Sequence, residues 1–126
     1  MSTPEQKTQL AIIEWLKKQH PEVSQYVVKI DNEGKRSVGG HMLALRMGLH
    51  KGASDLFIAW PTDKYHGLWL EIKSDVWRGA QGKKAKLHYE TQLNFIEKMK
   101  AVGFYGEIGA GVDQCIKIIS DYLNVS

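Results

Sequence analysis

Polar side chains at alternate positions of an otherwise apolar run mark Leu68–Lys73 as a place where chemistry could sit. A strand here would send Leu68, Leu70 and Ile72 to one face and Trp69, Glu71 and Lys73 to the other. Alone, a glutamate and a lysine two apart describe a solvated strand face. Asp55 changes that balance. It opens the preceding apolar run, Asp55–Trp60, just after Gly52, Ala53 and Ser54. The polar connection Pro61–Gly67 has hairpin length, so the two runs should lie side by side. Two carboxylates and a lysine then meet at one end of the hairpin. Carboxylates at such range repel and raise each other's pKa. A hard divalent cation such as magnesium resolves the conflict, because it takes oxygen ligands from one or two carboxylates together with phosphate and water. Lysine does not ligate such an ion. It can orient a water nucleophile and offset charge building on a phosphoryl group.

Gln92 is a second, independent signal. Tyr89, Phe95, Ile96 and Met99 make an apolar stripe at helical spacing, and Gln92 falls in its middle. A buried amide is costly unless hydrogen-bonded, so Gln92 is either satisfied within the core or aimed at the sheet end carrying Asp55, Glu71 and Lys73. Between strand and stripe lies Asp75–Lys86, rich in glycine and in cations: Arg78, Lys83, Lys84 and Lys86. Such a loop suits a phosphate backbone, and it equally suits plain solvation. Trp77 within it is the aromatic best placed to touch a nucleic acid, whereas Trp60 and Trp69 read as core and Tyr26 stays open to either role. The five histidines show no ligand spacing, and Cys115 reads as a small apolar residue.

The elements that must position these residues alternate in type. A first helix starts at Thr3–Pro4, carries Leu10, Ile12, Ile13, Trp15 and Leu16, and ends at His20–Pro21. A strand over Tyr26–Ile30 closes on a turn at residues 31–34, and a short helix with Met42, Leu43, Leu45 and Leu49 is entered through Gly39–Gly40. After the hairpin, a long helix is expected from about His88 to Ala101, a strand over Phe104–Ile108, a turn at Gly109–Gly111, and a last helix with Cys115, Ile116, Ile119, Tyr122 and Leu123 inward. The expected architecture is α/β, with a mixed sheet flanked by helices.

Composition sets the frame. The 126 residues fit one domain, 1–126, and 43% hydrophobic with 10% aromatic residues is enough to build a core. No apolar run approaches the roughly 18 residues of a membrane span, and the polar start lacks signal-peptide features. One cysteine offers neither an internal disulfide nor a zinc cluster, so a cytoplasmic, intracellular setting is expected. A net charge of +3 is only mildly basic.

Ser54–Asp55 with Glu71–Ile72–Lys73 resembles the PD-(D/E)XK nuclease signature. With the lead-in Lys51–Ser54, the run Gly67–Ser74 and Gln92, nearly the whole chain is similar to the virus-type replication-repair nuclease (VRR-NUC) family. Ser54 departs from the family, which has proline there. The resemblance implies a restriction-endonuclease-like core. Asp55 and Glu71, with the Ile72 carbonyl, would ligate Mg2+ or Mn2+. Lys73 would activate the attacking water, helped by Gln92, and Glu14 would be an additional acid of the site. It further implies a DNA endonuclease acting on branched or structured DNA in replication, repair or recombination, leaving a 3′-hydroxyl and a 5′-phosphate. A chain this small would suit such DNA as a homodimer. The rival is a catalytically idle module of the same fold that binds DNA or a partner protein.

Overall fold

The structure is a computed structural model that describes residues 2–31 and 37–124. Its elements are α1 (Pro4–Gln19), α2 (Pro21–Ser24), β1 (Val27–Lys29), α3 (Val38–Arg46), β2 (Leu56–Ile58), β3 (Leu68–Lys73), α4 (Lys83–Ala101), β4 (Tyr105–Ala110) and α5 (Val112–Leu123). The sheet order is β1-β2-β3-β4, antiparallel as far as β3 and parallel between β3 and β4. A parallel neighbour needs a crossover, and α4 supplies it.

Strand alternation decides what each face of the sheet buries. Leu56, Ile58, Leu68, Leu70 and Ile72 point to the side covered by α1 and α5, where they meet Ile12, Leu16, Cys115 and Ile119. The capping box of Thr3 and Gln6 with Pro4 in the first turn starts α1. Its buried stripe, Thr8, Ile12 and Leu16, is what holds the helix to the sheet. The opposite face carries Phe57 and Trp69, stacked at 4.3 Å, with Phe95 of α4 edge-on to Trp69 at 4.9 Å. The face of β3 bearing Glu71 and Lys73 is therefore roofed by α4 rather than open to solvent.

Four expectations from the sequence shift. Pro21 does not simply stop the first helix; proline suits a first helical position, and α2 begins there. Ser37 caps α3 by accepting a hydrogen bond from the Gly40 backbone, so Gly39 and Gly40 lie inside that helix. Residues 32–34 of the turn expected after β1 lie outside the described residues. β4 continues through Gly109 to Ala110, because a residue without a side chain is needed where α5 closes in: a Cβ there would stand 2.6 Å from Cys115 Sγ. The largest shift is the start of α4, at Lys83 instead of about His88. Lysines at a helix start oppose the macrodipole, but lysine is a good helix former and the long crossover helix tolerates them. Among the described residues no helix is long and apolar enough to cross a membrane.

Candidate active site

Leu56 pairs with Leu70 in the β2–β3 register, so one step beyond the paired run Asp55 falls opposite Glu71. The two carboxylates border one cavity together with Gln92 of α4. Asp55 is fixed by its own chemistry: Oδ2 accepts the Ile72 backbone N–H at 2.7 Å, 17 residues away in sequence. A strand residue sends its N–H and C=O to the same edge, so the Ile72 carbonyl leaves β3 on the Asp55 side, where β2 has already ended. Glu71 is 4% exposed. Gly52, in the lead-in, has φ +78, and a Cβ on it would sit 2.6 Å from the Thr91 carbonyl. Only glycine fits that close approach, which packs the lead-in against α4.

Lys73 reaches the same end of β3 and is held from two sides. Its Nζ donates to Gln92 Oε1 at 2.8 Å and lies 5.8 Å from the centre of the Trp77 ring. The ammonium has only donors, so it dictates the Gln92 amide orientation and turns Nε2 toward His88, 3.3 Å away. An amide nitrogen only donates. In this contact His88 Nε2 can only be the acceptor. Gln92 is 6% exposed, so both ends of its buried amide are satisfied within this chain of contacts.

Asp55, Glu71, Gln92 and His88 border a cavity of about 470 Å³, with Lys84 and His50 on its rim. Asp55 also borders a second cavity, of about 740 Å³, between α1 and β1. From α1 that cavity takes Glu5, Gln6, Gln9, Leu10 and Ile13, whereas Glu14 is exposed and lines neither. Glu14 lies away from the Ile12–Leu16 stripe that faces the sheet, and the acid of α1 that borders the same cavity as Asp55 is Glu5, itself exposed.

The expected basic loop divides. Lys83, Lys84 and Lys86 stand on the first turns of α4, and of these Lys84 lines the cavity. Arg78 curls onto its own loop, donating to the carbonyls of Asp75 and Trp77 at 3.2 Å each. Trp77 is half-buried against Tyr89. Trp60 and Trp69 are half-buried in aromatic packing, and Tyr26 is exposed beside Trp60. Ser54 is fully buried, and its hydroxyl has no hydrogen-bond partner among the described residues. His88 stands one turn before Gln92, and nothing in the spacing of the histidines marks it in the sequence.

No group of three or more His, Cys, Asp or Glu side chains gathers among the described residues, so the donor set does not resemble a closed tetrahedral site. Two carboxylates bordering a cavity suit a hard ion that completes its shell with water and phosphate.

No protein-family model matches the chain, and no curated protein matches it in sequence. In fold it is similar to a solved structure described as a VRR_NUC domain protein, with a TM-score of 0.77 and 24% sequence identity. That likeness covers 100% of this chain and 93% of the other. With its mixed sheet and flanking helices, the chain has the α/β fold of a VRR_NUC domain.

Proposed function

We propose that the chain is a divalent-metal-dependent deoxyribonuclease that hydrolyses phosphodiester bonds at Asp55, Glu71 and Lys73. One observation carries the reading: Asp55 lies opposite Glu71 at the end of the β2–β3 pairing, with Lys73 held beside them by a buried amide. The likeness in fold to a VRR_NUC domain protein supports it.

Asp55, Glu71 and the Ile72 carbonyl would hold magnesium or manganese, which supplies Lewis-acid activation of the phosphoryl group. The Asp55–Ile72 hydrogen bond presets one carboxylate, so little reorganisation is left for the reaction. Lys73 orients the attacking water and offsets the charge that builds on the phosphoryl oxygens. Gln92 keeps the ammonium in place, and His88 keeps Gln92 in place. Lys84 on the rim draws the phosphate backbone toward the cavity. Water oxygen bonds to phosphorus, the bond to the 3′-oxygen breaks, and the products carry a 3′-hydroxyl and a 5′-phosphate. Branched or structured DNA cut by a homodimer is the finer form of this proposal.

The test incubates the purified chain with plasmid and with a forked oligonucleotide in magnesium or manganese. Cleavage that a chelator abolishes is expected. A mobility shift without cleavage would make the chain an idle binding module, and neither outcome on any DNA would remove the nucleic-acid role.

A further inference from the structure

The hydrolysis described above leaves one proton without an assigned donor. When the bond from phosphorus to the 3′-oxygen breaks, the electron pair stays on that oxygen, and an alkoxide leaves poorly until it takes a proton. Lys73 serves the attacking water, and an in-line displacement sets the attacking and leaving oxygens on opposite sides of phosphorus. A different group must therefore serve the leaving oxygen.

Three histidines, His41, His50 and His88, border the cavity that Asp55 and Glu71 border. What holds their rings separates them. His88 uses Nε2 to accept from the Gln92 amide, so a proton placed there would break the contact that steadies the partner of Lys73. The His41 ring has no hydrogen bond or ring contact among the described residues. His50 is held twice. Its Nδ1 lies 2.9 Å from the Lys51 carbonyl oxygen, and its ring meets Phe95 of α4 edge-on at 5.0 Å. Phe95 is buried and packs in turn against Trp69, so the imidazole rests on a rigid part of the fold. The residue after Lys51 is Gly52, where the lead-in is packed against α4.

A carbonyl only accepts, so His50 Nδ1 carries the hydrogen in this contact. That leaves Nε2, at the tip of the ring, as the nitrogen whose proton comes and goes. The cationic ring and the neutral ring both keep Nδ1–H, so the Lys51 carbonyl fixes one orientation before and after a transfer. Lys84 borders the cavity too, but an ammonium is a weaker acid than an imidazolium and suits the phosphate better.

We propose that His50 is the general acid of the reaction, with Nε2 giving its proton to the 3′-oxygen as the bond to phosphorus breaks. This rests on the nuclease reading. The oxygen leaves as the 3′-hydroxyl, and the imidazolium becomes neutral imidazole. The attacking water gives up its own proton to solvent, and His50, which is exposed, takes one back from solvent.

The experiment first maps a cut on unmodified DNA, then replaces the 3′-oxygen of that bond by sulfur. A thiolate leaves without a proton, so a general acid matters to the oxygen substrate only. The wild-type chain, His50→Gln and His50→Ala are compared on both substrates in manganese under single-turnover conditions, and a thermal melt checks that the variants fold. Both variants should cut the oxygen substrate about 100-fold more slowly and the sulfur substrate within about threefold of wild type. Equal losses on the two substrates in folded variants overturn the inference, because they report binding or positioning. Wild-type rates on the oxygen substrate overturn it as well, leaving the nuclease reading in place with solvent as the donor. A wild-type chain that cuts no DNA removes the nuclease reading and this inference with it.

Discussion

Asp55 has two jobs that a single substitution to alanine would confuse. It caps the Ile72 N–H, and it is the carboxylate opposite Glu71. Asp55→Asn keeps an oxygen for Ile72 and removes the charge. Asp55→Asn and Glu71→Gln should each lower cleavage by about 100-fold or more while the melting curve moves little. Wild-type turnover in either would dismiss the assignment. Gln92 separates support from chemistry in another way. Gln92→Leu deletes a buried amide with both ends paired, so the fold should be about as stable, but Lys73 loses its acceptor. Single-turnover cleavage should fall about tenfold or more with little change in DNA affinity, because positioning acts on the reaction and not on binding. Full activity in a folded Gln92→Leu chain would return Gln92 to the core.

Two elements carry the site, and each has a weak point. The lead-in to β2 is pinned to α4 at Gly52, where φ is +78 and a Cβ would meet the Thr91 carbonyl. Gly52→Ala should cost about 1–3 kcal/mol and shift the thermal midpoint down, since strain and overpacking add. An unchanged midpoint would mean that the lead-in adjusts freely. The start of α4 concerns affinity. Replacing Arg78, Lys83, Lys84 and Lys86 by alanine one at a time should flatten the salt dependence of DNA binding. The log–log slope should fall by up to about one unit for each phosphate that is no longer neutralised. Lys84, on the cavity rim, should show the larger effect and Arg78, folded onto its own carbonyls, the smaller. Equal slopes for all four variants and wild type would leave these cations merely solvated.

Across the whole molecule, both faces of the sheet are covered, and that coverage has a pH signature. Burial pushes the Cys115 thiol from 9.0 up to about 12, and burial likewise pushes the Tyr105 and Tyr122 hydroxyls from 10.0 up to about 12. Each group holds its proton more tightly folded than unfolded. Their contribution to stability is therefore complete below about pH 9 and drains away as pH rises toward 12. Denaturant midpoints should stay level up to about pH 9 and fall above it; midpoints that rose through that window would contradict the burial of these groups. The sequence by itself determined what depends on neighbours along the chain. Period-two alternation assigned each side chain of Leu68–Lys73 to a face, a hairpin-length connection set Asp55 beside Glu71, and the interrupted stripe singled out Gln92. Tertiary structure decided what covers those faces. Alternation is blind to whether solvent or α4 lies above Glu71, and a helical wheel for α1 cannot tell which arc meets the sheet until α5 has packed, so Glu14 turned outward. The start of α4 was hidden for a related reason. Lysine propensity and the helix dipole oppose each other by fractions of a kcal/mol, and the long crossover from β3 to β4 tips the balance. His88 stands at the first position of the helix expected from the sequence, and what the structure adds is that its ring meets the Gln92 amide.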